Sequence, residues 1–178
     1  MTGSNVSFAS DRNSTTHWAL VVALVSGAIA ASASSDAARA ACDAACQADF
    51  VARHNASRKK LNDGLMPGPI GVPQPTSNPA LGVMTLNNTA AATAQAWANT
   101  CTWGHSTAQS AFRGIDTGEN IYGTTGAVTP TNVVNAWENE SNWYSYATNS
   151  TTMPLDPTKV VGHYTQSMAH MTPLPTDC

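Results

Sequence analysis

The sequence predicts an α+β fold in which three helices and a few short strands share one domain. Its 178 residues suit a single domain, and a hydrophobic fraction of 42% supplies a packed core. Three segments carry helical spacing or a clear helix start, and two others have the glycine boundaries or β-branched content typical of strands. A two-domain enzyme is not expected at this length.

The charge balance argues against a nucleic acid partner. Only 11% of the residues are charged, whereas an average soluble domain has roughly 25%. Eight Lys and Arg against eleven Asp and Glu give a net charge of −3. Such a chain has no broad basic surface for phosphates.

Residues 1–33 are predicted to be a signal peptide. The uncharged run from Trp18 to Ala33 follows Arg12 and ends in small residues that fit a signal-peptidase site. A retained membrane anchor is the alternative, but the second half of the run is Ala, Ser and Gly and is short for a bilayer span. We therefore expect a secreted, extracellular protein.

Secretion would place the cysteines in an oxidising compartment, where they pair. Four cysteines allow three connectivities, and Cys42 and Cys46 fall in a lead-in segment, residues 34–46. No second Cys or His pair at zinc-finger spacing accompanies these two, so a disulfide is favoured over a metal clip. Four glycosylation sequons after residue 33 agree with a secretory route, and they begin at Asn55, Asn87, Asn139 and Asn149.

The first two helices are predicted over residues 43–61 and 88–100. In the first, Phe50 and His54 share one face, and Lys59 and Lys60 lie near the C-terminal end, where cations suit the helix dipole. The second is rich in Ala, a strong helix former. Residues 62–79 between them hold too many Pro and Gly for regular structure.

The third helix is predicted to begin with Thr129 as N-cap and Pro130 at its first position. Val133, Trp137 and Tyr144 form one apolar stripe. Glu140 falls on the same stripe, so its carboxylate should be buried, while Glu138 points off it. Strands are predicted over residues 118–123, bounded by glycines, and over residues 159–166, which are rich in β-branched and aromatic side chains.

Four titratable residues lie beside aromatics and glycines in this chain of few charges. They are His105, Glu119, Glu140 and His163. Two imidazoles and two carboxylates in such settings suggest a shared, partly buried site.

Five motifs in fixed order carry a family resemblance. They are residues 50–55 (FVARHN), residues 96–106 with Trp103-Gly-His-Ser106, residues 118–122 (GENIY), residues 136–140 (AWENE) and residues 162–166 (GHYTQ). At these motifs the sequence resembles the CAP superfamily, which comprises cysteine-rich secretory proteins, antigen 5 and pathogenesis-related class 1 proteins. The resemblance delimits a CAP/SCP-like domain at residues 47–166.

The resemblance implies a three-layer α-β-α sandwich with a small antiparallel sheet and a central cavity. By motif, His105, Glu119, Glu140 and His163 line that cavity. Residues 167–178 depart from the family pattern, and Pro173 and Pro175 do not suit a central strand, so the sheet would lack its last strand.

The four cavity residues allow two roles. His105 and His163 are expected to ligate Zn²⁺ or another divalent metal, and the four groups could equally form a satisfied polar network. In the catalytic alternative, a metal-dependent hydrolase or protease, a Glu would act as general base. The non-enzymatic role is favoured, because a fold transfers geometry better than chemistry.

The resemblance also implies an apolar ligand, a sterol or a fatty acid. The corresponding aromatic residues are Trp143, Tyr144 and Tyr146, whose rings could cover a planar ligand. The alternative is that these rings simply cap the core. A surface of this kind could also contact a membrane or a cell wall, and a third class of function is an extracellular defence or signalling ligand.

Overall fold

The computed structural model describes residues 3–10, 18–23, 42–100, 102–106, 117–124, 128–153, 156 and 158–168. In chain order the elements are β1 (Gly3–Ser10), β2 (Trp18–Ala23), α1 (Ala44–Asn62), α2 (Asn88–Asn99), β3 (Thr117–Gly123), α3 (Pro130–Glu138), β4 (Tyr144–Ser145), β5 (Ser150–Thr151) and α4 (Gly162–Ser167). Short 3₁₀ helices span Pro69–Gly71 and Asn139–Trp143. This mixture confirms the α+β class; the three-layer order stays a prediction.

The larger sheet is antiparallel, with strand order β2-β1-β3. Its register pairs Glu119 of β3 with Ser7, and Asn120 with Val6. Strands β1 and β2 lie within residues 1–33, which stay predicted as a signal peptide. Cleavage there would leave β3 without a partner strand among the described residues, and an unpaired strand exposes its backbone groups.

Helix α1 begins as the sequence predicts. The side chain of Asp43 accepts a hydrogen bond from the Cys46 backbone N–H at 2.9 Å, which is N-cap geometry. A disulfide joins Cys42 to Cys46 across this first turn, so the predicted disulfide role of these two cysteines is confirmed. Cys101 and Cys178 lie outside the described residues.

The other two long helices also begin at local capping residues. The side chain of Asn87 accepts from Ala90 N at 3.1 Å at the start of α2. Thr129 accepts from Asn132 N at 3.2 Å, and Pro130 occupies the first position of α3, so this predicted helix start is confirmed. No helix in the described ranges combines the length and apolar character needed to cross a membrane.

Among the residues that the structure describes, two apolar clusters form the core. The first joins α1 to α3 and contains Cys42, Phe50, Met84, Val133, Val134 and Trp137. The second lies beneath α4 and contains Met66, Leu81, Tyr164 and Met168. Buried apolar area of this kind is the main favourable term in folding.

Buried polar side chains tie the helices together. The guanidinium of Arg58 donates to Gly82 O at 2.8 Å and to Ser167 O at 3.0 Å, at the C-terminal end of α4. The carboxylate of Glu138 accepts from the Ser57 hydroxyl and from Lys60 Nζ, so α3 is attached to α1. Glu138 thus points off the apolar stripe, as predicted, but onto a neighbouring helix.

Two asparagines of α1 hold the Pro- and Gly-rich loop that follows the helix. Asn55 exchanges hydrogen bonds with the backbone N and O of Met84 at 2.6 and 3.0 Å. Asn62 does the same with Leu81 at 2.8 and 3.0 Å. Within the loop, Met66 and Gln74 are buried, whereas Ile70 is fully exposed with a φ of 57°.

The strand predicted over residues 159–166 is wrong, because Gly162–Ser167 form helix α4. The Tyr164 backbone N–H, in the first turn of this helix, donates to Glu140 Oε2 at 3.0 Å. This tertiary contact satisfies a donor that a helix leaves unpaired at its start. Helical geometry also buries Tyr164 and Met168 on one face, which outweighs the β propensity of the segment.

Candidate functional site

The first half of the predicted site is a pair formed by His105 and Glu119. Glu119 lies on β3 with its side chain 2% exposed, and its Oε1 accepts from His105 Nδ1 and from the Ser106 backbone N–H, both at 2.8 Å. An ionised carboxylate only accepts, so Nδ1 carries the ring proton. In the neutral ring this tautomer leaves the lone pair on Nε2 of His105.

The second half is a pair formed by His163 and Glu140. Glu140 lies in the 3₁₀ helix after α3 with its side chain 6% exposed, and its Oε1 accepts from His163 Nδ1 at 2.7 Å. The predicted burial of this carboxylate is confirmed, although α3 ends at Glu138 and Glu140 follows it. The indole of Trp137 stacks on the His163 ring at 5.9 Å with an interplanar angle of 12°.

Asn120 links the elements that carry the two pairs. It follows Glu119 on β3, is 2% exposed, and its amide donates to His163 O and to Ser167 Oγ, each at 3.1 Å. Sequence reasoning missed this residue. The signal in the sequence is a polar amide next to Ile121 in a short strand. If that amide is buried, it needs a hydrogen-bond partner, which here is the α4 segment.

The structure thus brings the four predicted residues into two pairs. Across the described residues, no group of three or more His, Cys, Asp and Glu is placed to hold a metal ion. Both carboxylates already accept an imidazole proton and a backbone N–H. The Nε2 atoms of His105 and His163 take no part in these bonds and are the ring nitrogens that could ligate a metal.

His54 belongs to the core rather than to the site. It is 1% exposed, and its Nδ1 lies 3.0 Å from Phe50 O. Burial lowers the pKa of His54 to about 4, since desolvation disfavours the charged ring. A buried, uncharged ring at this position has a packing role.

The aromatic residues predicted to bind lipid divide into two kinds. Trp143 donates from Nε1 to Val160 O at 2.5 Å, and the Lys159 ammonium lies 4.6 Å from its ring centroid. Tyr144 packs on Tyr164 with ring centroids 5.3 Å apart. Tyr146, by contrast, is 67% exposed. The core-capping interpretation therefore suits Tyr144, and Tyr146 is left at the surface.

Comparison with known proteins identifies the family. The family model for the cysteine-rich secretory protein family, CAP, matches residues 51–172, which is more than half of the chain. The chain belongs to the CAP family. All four site residues of this CAP protein lie inside the matched segment.

Two named relatives illustrate the similarity. Venom allergen 5.02 from Vespa crabro is 33% identical over 122 residues, which cover 66% of this chain and 57% of the relative. Cysteine-rich secretory protein 3 from Homo sapiens is 30% identical over 122 residues, covering 67% of this chain and 42% of the relative. The chain therefore spans about half the length of the curated relatives it matches. No solved structure matches this chain at the significance threshold that these relatives meet.

Proposed function

We propose that this CAP protein is a secreted binding protein whose two His–Glu pairs hold a divalent metal ion and do not turn over a substrate. The observation that carries the proposal is that each carboxylate is already engaged by an imidazole and a backbone N–H. A general base needs a carboxylate that can reach the proton of a substrate or water. Relatives named as venom and secretory proteins support the extracellular route.

The donor chemistry fits Zn²⁺ or a similar divalent ion. Metal-ligating histidines commonly donate the other ring N–H to a carboxylate, which fixes the tautomer and the ring orientation. Glu119 and Glu140 hold the Nδ1 atoms of His105 and His163 in this way. The Nε2 atoms would ligate the ion, with water completing the coordination shell. When bound, the ion supplies positive charge and Lewis acidity.

The metal content of the purified protein, determined by elemental analysis, tests this proposal directly. Protein purified without chelators should contain Zn²⁺ or another divalent metal, and the double variant His105→Ala, His163→Ala should lose it. His170→Ala replaces a histidine outside the described residues and serves as the matched control. Equal metal content in all three proteins would remove the claim.

A metal-dependent hydrolase at the same residues is the enzymatic alternative. It predicts a hydrolytic activity that requires metal and disappears in Glu119→Gln and Glu140→Gln. The binding proposal predicts no such activity in the unmodified protein. A defence or signalling ligand predicts that neither the metal variants nor the aromatic variants change recognition by a receptor.

A small apolar ligand, such as a sterol or a fatty acid, is the second candidate, favoured by exposed apolar groups around Trp143. Val160 O accepts from the indole, and Thr152 N donates to Trp143 O at 2.7 Å, so both neighbouring segments lie against this residue. Exposed apolar side chains there are Tyr146 at 67%, Met153 at 49% and Val160 at 49%. Large exposed apolar patches are typical of binding sites, and the proposal is that these side chains form one.

Sterol binding tests the second candidate. Trp143→Ala and Tyr146→Ala should each weaken binding of a fluorescent sterol about 10-fold, because each removes roughly 1–2 kcal/mol of apolar contact. Val83→Ala is the matched control, since Val83 is 69% exposed outside this surface. Unchanged affinity in both aromatic variants would exclude the surface, and the His105 and His163 variants should bind sterol normally.

A further inference from the structure

We propose that Asn149 carries an N-linked glycan whose first sugar packs against the ring of Tyr146. This modification goes beyond the metal-binding role, is an alternative to the sterol surface because both would cover Tyr146, and rests on the secretory route included in the proposed function. Asn149-Ser150-Thr151 is one of the four sequons in the chain after residue 33. The surroundings of the four asparagines differ, and these differences select Asn149.

Asn149 lies in the exposed connection between β4 and β5. Its φ of 49° is left-handed, a conformation that Asn adopts more readily than most residues. The Tyr144 hydroxyl donates to Asn149 Oδ1 at 2.9 Å, which fixes the orientation of the amide. Among the described residues the Nδ2 atom of Asn149, to which the sugar would be joined, donates to no acceptor.

Tyr146 lies at the opposite side of the same turn. Ser145 pairs with Ser150, so Tyr146 and Asn149 are the next residues beyond the last strand pair. The Tyr146 side chain is 67% exposed, and the turn residues that follow it are exposed as well. The C–H face of a sugar is apolar, and covering an aromatic face with it removes apolar surface from water.

The sequon at Asn55 is unsuited to a glycan. The Asn55 amide nitrogen donates to Met84 O, and its oxygen accepts from Met84 N. The hydroxyl residue of this sequon, Ser57, is 3% exposed and contacts Glu138. A glycan on Asn55 would break the attachment of the loop to α1.

The remaining two sequons are engaged in other ways. Asn87 is half-buried, and its side chain caps α2 by accepting from Ala90 N. The Asn139 side chain accepts from the Asn142 amide at 2.8 Å, and Ser141, the hydroxyl residue of that sequon, is 0% exposed. Only Asn149 combines an exposed turn, a presented amide and an adjacent uncovered aromatic ring within the described residues.

Site occupancy tests the modification. The full chain is expressed in a eukaryotic secretory host, and peptides are analysed by mass spectrometry after enzymatic release of glycans in ¹⁸O water, which labels each formerly glycosylated Asn. We expect label at Asn149 and none at Asn55. Asn149→Gln should lower the apparent mass by one glycan, and Asn142→Gln, an exposed Asn outside any sequon, should not.

The outcomes separate the glycan from the secretory route. A chain recovered from the medium without residues 1–33, but with Asn149 unmodified, overturns the glycan and leaves secretion intact. A chain that keeps residues 1–33 and stays in the cytosol overturns both. Modification at Asn55 would refute the structural basis on which Asn149 is selected.

The contact with Tyr146 has its own measurement. Protein trimmed to a single N-acetylglucosamine is compared with fully deglycosylated protein, and the Tm of the trimmed form should be about 2–4 °C higher, the size expected of one aromatic contact in a domain of this length. In Tyr146→Ala the site should remain occupied while this difference disappears. A difference that persists in Tyr146→Ala would overturn the contact.

Discussion

Replacing Glu140 with Gln should weaken helix α4 and the metal site together. The carboxylate accepts from His163 Nδ1 at 2.7 Å and from Tyr164 N at 3.0 Å. The two donors engage different oxygens of Glu140, so the single side-chain oxygen of a glutamine at this position meets only one of them. If that oxygen stays on Tyr164 N–H, the amide nitrogen faces His163 Nδ1. This ring atom must then accept, and the imidazole proton moves to Nε2.

The expected magnitudes follow from this geometry. A hydrogen bond to a charged group contributes about 1.5–3 kcal/mol net, so the free energy of unfolding should fall by about that amount. In a domain of this size such a loss lowers the Tm by about 3–12 °C. An Nε2 that carries the proton has no lone pair for a metal, and altering a partner of a ligating histidine costs about 10–100-fold in affinity.

Urea denaturation and Zn²⁺ titration measure the two effects separately. Glu138→Gln is the matched control, because Glu138 accepts from Ser57 and Lys60 and contacts no ring of the site. It should lose stability and keep its Zn²⁺ affinity. The tautomer argument fails if Glu140→Gln binds Zn²⁺ as tightly as the control does.

Three further predictions concern stability. The pKa of His54 in the folded state, about 4, lies below its unfolded value of 6.5, so the unfolded state gains a proton first as the pH falls. The free energy of unfolding should therefore fall by roughly 3 kcal/mol between pH 6.5 and pH 4. His54→Gln should flatten this pH dependence, as measured by urea denaturation. Arg58→Ala should cost about 2–4 kcal/mol in the same assay, because Gly82 O and Ser167 O lose a buried charged donor; a loss under 1 kcal/mol would contradict this. Reducing the Cys42–Cys46 disulfide should cost only about 2 kcal/mol, since the closed loop is short, and calorimetry with and without reductant measures it.

Helix starts were predictable because their signals are local. Thr129 and Asn132 are three residues apart, and so are Asp43 and Cys46. A capping side chain and its backbone partner therefore fall within one window of sequence. The apolar stripe of α3 was readable for the same reason, and Val133 and Trp137 are buried as expected.

Helix α4 was not predictable from its own residues. Its segment has β-branched and aromatic side chains, and the group that pairs with its first turn is Glu140, which precedes Tyr164 by 24 residues. The side chain of Glu138 is 14% exposed for a similar reason, because α1 packs against it through Ser57 and Lys60. Contacts between distant segments override local preference in both cases.

The identities of the site residues could be predicted, but their pairing could not. Motifs identified His105, Glu119, Glu140 and His163, yet residue types do not say which carboxylate faces which ring. The pairing follows from where β3 and α4 lie, and Asn120 joins these elements. Its role depends on the His163 backbone oxygen, which no side-chain motif records.

The loop after α1 offers a place where the protein can be extended. Asn55 and Asn62 hold its later part through Met84 and Leu81, and the fully exposed Ile70 lies between the buried side chains of Met66 and Gln74. Residues added at Ile70 lengthen a segment that the hydrogen bond from Gln74 N to Met66 O already closes, and the entropic cost of such lengthening grows only slowly. A fluorophore or an affinity tag could be inserted there for immobilisation, and the N-cap residues Asp43, Asn87 and Thr129 would be unchanged.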